Sequence, residues 1–176
     1  MPGLRAVFAL AAALAAGAAV AQGDAPLTAA ATVKGADGAD HGTATLTETP
    51  AGVLIEAELT GLPPGVHGFH FHETGECEPP FESAGGHYNP TMSDHGFKVE
   101  GGPHAGDMPN IHVPDTGALT IEVLNASVTL EEGAPETLFD DDGTALMIHA
   151  GADDYESQPS GDAGDRIACG VVEASQ

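Results

Sequence analysis

Tryptophan is absent from the 176 residues, aromatic side chains make up only 5% of them, and four residues in all are Lys or Arg. With so few rings, a core has to be assembled from Val, Leu, Ile and Ala. The shortage of cations against 27 Asp and Glu sets the formal charge at −23. Proteins that bind nucleic acid do so through clustered Lys and Arg that displace counterions from phosphates, so nucleic acid is excluded as a partner. Helical signal is also missing: no stretch of the chain beyond its N-terminal leader carries a convincing 3.6-residue apolar periodicity. Hydrophobic residues at 41% and charged residues at 18% nevertheless exclude a disordered polyelectrolyte. The length suits one domain with a short appendage.

That appendage is the N-terminus. Met-Pro-Gly-Leu-Arg5 precedes an uncharged apolar run from Ala6 to Ala21 that ends in the small-x-small triplet Ala19-Val20-Ala21. One cation, an apolar run and a small-residue cleavage site describe a secretory signal peptide over residues 1–21, leaving a domain at 22–176. A membrane anchor fits less well, because the run is shorter than the ~20 residues a spanning helix needs. No Cys follows the cleavage site to accept a lipid, so the mature chain is expected to be free of the membrane. Losing Arg5 leaves Lys34, Lys98 and Arg166 as the only cations. Export also bears on the two cysteines. In an oxidising compartment Cys77 and Cys169 are the one pair able to bridge, the alternative being two buried free thiols.

The rest of the chain reads as short strands. Leu27–Val33, Thr43–Thr47, Val53–Leu59, Val66–His72, Leu119–Leu124, Ser127–Leu130, Ala145–His149 and Ile167–Val172 are separated by Gly, Pro, Asn and Asp clusters. Val53–Leu59 alternates apolar with acidic residues, as a half-buried strand does. The pattern predicts an all-β, antiparallel sandwich or barrel. Two long segments interrupt it, Glu73–Asn110 and the acidic, Gly-rich Gly151–Asp165. Loops of that length in a compact domain are usually functional.

Nine histidines are many for this length. His70 and His72, two apart on a strand, leave the same face, which lets them share a metal. By itself this spacing is a weak signal, more often structural. The loop adds His87, His95, His104 and Asp107. Three imidazoles and a carboxylate make a closed tetrahedral zinc set with no position for a reactive water. A solvated His-rich loop is the plain alternative. His149 ends a separate strand and can face His70 and His72 across a sheet. Imidazole-rich sites suit copper and zinc. Seven such side chains fall one short of two four-coordinate ions, a deficit that one bridging imidazole would fill.

Gly68-Phe69-His70-Phe71-His72, Gly85-Gly86-His87-Tyr88-Asn89-Pro90, His104-Ala105-Gly106-Asp107 and Arg166-Ile167-Ala168-Cys169-Gly170 together resemble the copper/zinc superoxide dismutase family, in order from about Val33 to Val172. With the leader and the turn Asp107-Met108-Pro109-Asn110, the chain is most similar to the exported bacterial branch. The resemblance implies an eight-stranded Greek-key sandwich or barrel, immunoglobulin-like, with two functional loops. It implies one copper ion on His70, His72, His87 and His149, and one zinc ion on His87, His95, His104 and Asp107. His87 would be the bridge. It further implies a Cys77–Cys169 disulfide, an Arg166 that guides the substrate, and an Asp153 that links His70 to His95 and fixes their rings.

The implied activity is dismutation of superoxide to dioxygen and hydrogen peroxide, in antioxidant defence outside the cytoplasm, periplasmic or secreted. His87 would also be catalytic, taking a proton in one half-reaction and delivering it in the other. The family includes monomers and dimers, which leaves a homodimer open. A metal carrier on the same scaffold and an interaction domain with structural metals are the competing functions. Arg166 argues against the first, and the complete copper set argues against the second. His67, His112 and His41 are read as structural or solvated, and Asp140-Asp141-Asp142-Gly143 as a solvated turn lacking EF-hand spacing. Family members place lysines at the site mouth, whereas neither Lys34 nor Lys98 clearly matches such a position. Weak or reversed steering of the anionic substrate is therefore expected.

Overall fold

A computed structural model of the protein describes residues 25–175; the predicted signal peptide lies outside the described residues. The order is β1 (Thr28–Gly35), β2 (Asp40–Thr49), β3 (Gly52–Leu59), β4 (Gly65–His67), β5 (Phe69–His72), a 3₁₀ turn (Glu82–Ala84), β6 (Ile111–Val113), β7 (Leu119–Asn125), β8 (Ala145–His149), β9 (Arg166–Val171) and β10 (Glu173–Ala174). Eight of these strands form one curled antiparallel sheet in the order β5-β8-β9-β1-β2-β3-β7, with β10 added to β1. β4 and β6 pair separately. The meander β1-β2-β3 with β9 returning beside β1 is a Greek-key order.

Alternation produces the inner face. Ala29, Ala31 and Val33 of β1, Ala44 and Leu46 of β2, and Val53, Ile55, Ala57 and Leu59 of β3 are all buried in one core. Glu56 and Glu58 between them are exposed. Burying each large aliphatic side chain contributes about 1.5–3 kcal/mol.

β8 is different, because all five of its residues are buried. Leu146 and Ile148 join the barrel core, together with Phe69 and Phe71 of β5. Ala145 and Met147 face the other way, against Phe81, Ala84 and Cys169. The β5–β8–β9 wall therefore has two dry faces. The outer one carries His70, His72 and His149, and the Glu73–Asn110 loop covers it. A disulfide between Cys77 and Cys169 fastens the start of that loop to β9, with a Cα–Cα distance of 5.7 Å.

The structure departs from the sequence reading in two of the expected strands, and β6 and β10 lie outside the expected runs. Val66–His72 is broken at Gly68, so β4 pairs with β6 while β5 pairs with β8. Ser127–Leu130 is not a strand, making only an isolated bridge between Thr129 and Thr137. Apart from the two backbone bonds of Thr129 at that bridge, side chains take its donors: Ser127 N–H donates to Asn125 Oδ1 (2.8 Å) and Leu130 N–H to Glu48 Oε2 (2.6 Å). With those donors engaged, little remains for a ladder.

Candidate metal centre

The free edge of β5 recruits the covering loop and sets its register. Tyr88 N–H donates to Phe71 O (2.8 Å), Phe71 N–H to Gly106 O (2.9 Å) and Gly106 N–H to Tyr88 O (2.8 Å). This places His87 opposite His72 and Asp107 opposite His70. Gly106 is required there, because a Cβ would collide with Phe71 O and come within 3.0 Å of Tyr88 N.

Two groups of ligand-type side chains result. His70, His72, His87 and His149 form one, and His87, His95, His104 and Asp107 the other. All are buried, and within each group the ligand atoms lie within 4.8 Å of one another. The rings of His70 and His87 are 4.0 Å apart.

Hydrogen bonds on the far side of each ring decide which nitrogen faces inward. Carboxylates and carbonyls only accept, so the ring nitrogens that meet them carry the proton. His70 Nε2 donates to Asp153 Oδ2 (2.9 Å), and His95 Nε2 to Asp153 Oδ1 (3.0 Å). His72 Nδ1 donates to Gly85 O (3.0 Å), and His149 Nδ1 to Gly164 O (3.2 Å). In the first group this leaves lone pairs on His70 Nδ1, His72 Nε2 and His149 Nε2. The last two face each other at 3.3 Å, which needs a cation or a proton between them.

His87 has no such outer partner. Its Nδ1 meets Asp107 Oδ1 at 2.8 Å in the second group. Its Nε2 points into the first and is buried without any partner, as are His70 Nδ1 and His104 Nδ1. Orphaned buried polar atoms are costly, and a cation at each group would satisfy all three. The donor set fits one imidazole-rich copper site and one closed zinc site that share a ring.

The electrostatics agree. Burial, reinforced by neighbouring imidazoles, pushes His72 down to about 2 and His149 to about 3. Burial also takes His87 to about 4 despite its bond to Asp107. All three rings are neutral at physiological pH, as a metal ligand must be. Burial also works against the charge on Asp107, but the nearby rings of His104, His87 and His95 hold its carboxyl far below the usual range. Burial disfavours a proton on His95 as well, yet Asp107 and Asp153 outweigh it and raise the ring to about 9. That proton stands between His95 Nδ1 and Asp107, 3.0 Å apart, where a cation would sit.

The remaining residues singled out from sequence sit around these groups. Asp153 joins the two through His70 and His95, and is itself held well below the usual carboxylate range by those rings despite its burial. Arg166, paired in register with His149, donates to Phe81 O (2.5 Å) and Gly85 O (2.6 Å). Gly85 O thus holds both His72 and the guanidinium. His67 has a carbonyl at each ring nitrogen, His149 O at 2.8 Å and Pro63 O at 2.9 Å, and is structural. Lys98 Nζ donates to Asp154 O (2.9 Å), and Lys34 lies exposed on β1.

Sequence reasoning missed the carbonyls of Gly85 and Gly164 and two amide side chains. Asn110 pairs with the backbone of Asp153, donating from Nδ2 to its O (2.8 Å) and accepting from its N–H (2.9 Å). Gln158 pairs in the same way with the backbone of His95. Backbone pairing at long range leaves no local signature.

Comparison with known proteins agrees with this geometry. The family model described as copper/zinc superoxide dismutase matches residues 40–172. Superoxide dismutase [Cu-Zn] 1 of Aquifex aeolicus (strain VF5) is 55% identical over 133 residues, covering 74% of this chain and 79% of that one. The superoxide dismutase [Cu-Zn] of Caulobacter vibrioides is 45% identical over 148 residues, covering 82% and 85%. Among solved structures, a double mutant of a SOD-like protein from Bacillus subtilis superposes with a TM-score of 0.79 at 39% identity, covering 81% of this chain and 95% of that one. Since the match spans both histidine groups and most of the fold, the chain belongs to the copper/zinc superoxide dismutase family.

Proposed function

We propose that the mature chain dismutates superoxide outside the cytoplasm, with copper on His70, His72, His87 and His149 and zinc on His87, His95, His104 and Asp107. The observation that carries this assignment is His87, the one ring with a nitrogen in each group and no outer acceptor. The disulfide fits an oxidising compartment, and the leader fits export.

Copper bound there supplies a one-electron couple, by which one superoxide is oxidised to dioxygen and a second, with two protons, is reduced to hydrogen peroxide; zinc supplies fixed positive charge. The protein does the rest. Asp153, Gly85 and Gly164 O hold three rings with their lone pairs turned inward, so little reorganisation is needed at each turnover. His87 Nε2 is the atom placed to take a proton in one half-reaction and return it in the other. Arg166, clamped by two carbonyls beside His72 and His149, offers a fixed cation to the incoming anion.

The test is superoxide dismutation by the chain from Gln22, loaded with one copper and one zinc. Activity lost on removing copper alone, and restored by adding it back, is expected. Full occupancy of both metals without activity would overturn the reading in favour of a metal carrier. Export is tested separately by N-terminal sequencing of the mature protein, which should begin at Gln22.

A further inference from the structure

The zinc-site histidine His95 is held by its backbone as well as by its ring, and the residue that does so comes from the other loop. Its N–H donates to Gln158 Oε1 (2.9 Å), and Gln158 Nε2 donates to His95 O (2.8 Å). One primary amide thus closes a two-point ring with both polar backbone groups of a single residue, the pattern one strand offers another. The ring of His95 is at the same time fixed at both nitrogens, by Asp107 and Asp153. Gln158 Nε2 has a further acceptor in Glu156 O at 3.2 Å, which ties the amide to its own loop.

Nearby contacts run the same way. Lys98 N–H donates to Tyr155 O, and Gly96, next to His95, lies so close that a Cβ would collide with Tyr155 O. The Gly151–Asp165 loop is therefore built onto the backbone around His95.

We infer that Gln158 is a positioning residue for zinc: by clamping the backbone of His95 it makes the two loops one unit, so that zinc affinity and order in residues 154–160 depend on each other. This rests on the zinc assignment proposed above. Coupling of this kind is reciprocal, since whatever ordering the second loop gives zinc binding, zinc must return to the loop. His70, His72 and His149 are not touched by Gln158, so the effect is selective between the metals.

The test compares the full mature chain with Gln158→Leu, which keeps the shape without the polar atoms, and Gln158→Glu, which keeps the acceptor for His95 N–H but sets an oxygen against His95 O. Ser160→Ala in the same loop is the control. Zinc affinity is measured by chelator competition, copper affinity in parallel, and loop order by hydrogen exchange with and without zinc. Cobalt(II) at the zinc set gives a ligand-field spectrum that reports the placement of His95.

Zinc affinity is expected to fall by roughly 10- to 100-fold in Gln158→Leu. Gln158→Glu should lie between it and the parent, copper affinity should hold, the cobalt spectrum should shift, and zinc should no longer protect residues 154–160. Parent-like zinc affinity and spectrum in a folded Gln158→Leu would overturn the clamp while leaving the zinc assignment intact. A parent chain without a tight zinc site would overturn that assignment, and the clamp with it. Should Gln158→Leu fail to fold, parent-like values in Gln158→Glu would overturn the clamp.

Discussion

The charge of this protein makes a prediction about its rate that most enzymes attacking an anion would contradict. Arg166 is flanked by carboxylates: Glu82 and Glu73 act on its guanidinium and Asp165 precedes it in the chain, all three exposed. Lys98 is engaged by Asp154 O and Lys34 lies exposed on β1, so three negative charges surround one positive. At ~10 Å in water each unit charge acts on a monovalent anion with ~0.4 kcal/mol, leaving a net repulsion of ~0.8 kcal/mol. The Debye length shrinks from ~30 Å at ~10 mM salt to ~8 Å at physiological salt, which removes over half of what remains of that repulsion. The second-order rate constant for superoxide, measured by pulse radiolysis on the fully metallated chain, should therefore rise about twofold across that range. Replacing Glu82 and Asp165 by Gln and Asn brings the surroundings of Arg166 near neutrality. That variant should show a flat salt profile and a low-salt rate two- to threefold above the parent, from the ~0.6 kcal/mol of repulsion that survives screening at ~10 mM salt. A steep fall in the parent's rate with added salt would refute this reasoning, because it would mean attraction from cations other than Arg166.

Other consequences follow from the links around the metals. Asp153→Asn should weaken metal binding by roughly 10- to 100-fold, read by chelator competition, since an amide cannot accept from both His70 and His95. Gly161→Ala should act in the same direction with Asp153 itself intact: Gly161 has φ +70°, and a Cβ there would fall on the Asp153 carboxylate. Replacing Cys77 and Cys169 together by Ala opens a loop with a sequence separation of 92, which the chain-entropy model values at about 4–5 kcal/mol in urea denaturation. The metal-free protein should be most stable near neutral pH. His72, His149 and His87, lowered to about 2, 3 and 4, bind protons in the unfolded chain first, so stability is present above about 6.5 and falls as pH drops below it. Each proton contributes about 1.4 kcal/mol per pH unit. His95, raised to about 9, works in the opposite sense, stabilising fully below about 6.5 and losing that effect as pH rises towards 9. Urea midpoints of chelator-treated protein at about pH 5, 6.5 and 8.5 check both limbs.

Much of this architecture is legible in the sequence where one residue type has one physical use. Alternation along Val53–Leu59 announces a half-buried strand, and Ala145–His149 coincides with β8. The seven side chains that the structure gathers into two groups were legible because imidazole and carboxylate are the groups metals take, and the motifs around them are specific. Ser127–Leu130 was misread because its composition suits a strand, while the partners that decide its fate, Glu48 and Asn125, are remote or lie outside the run. The break at Gly68 was hidden for a related reason. Val66–His72 has an unbroken strand pattern, and only the choice of neighbour, β6 for one half and β8 for the other, divides it.

What stayed illegible has a common character. The chemistry of a copper or zinc ligand lies in its side chain, which a motif displays, but the placing of that ligand lies partly in its backbone, which every residue shares. The carbonyls of Gly85 and Gly164 and the main chain of His95 are groups every residue carries, so no side chain marks them. Gln158 stands 63 residues from His95, in a loop with no period to fix its register. It touches no ring or carboxylate of the predicted metal set and yet holds the backbone of His95, while Asn110 holds the backbone of the carboxylate that joins both groups. The exchange is reciprocal: each loop supplies an amide to the other's backbone. A loop that cannot form a ladder along its length can still be held in register by two such amides. Together with the buried Phe81, Tyr88 and Met108, that explains how two irregular segments can keep the seven gathered side chains in place before any metal arrives.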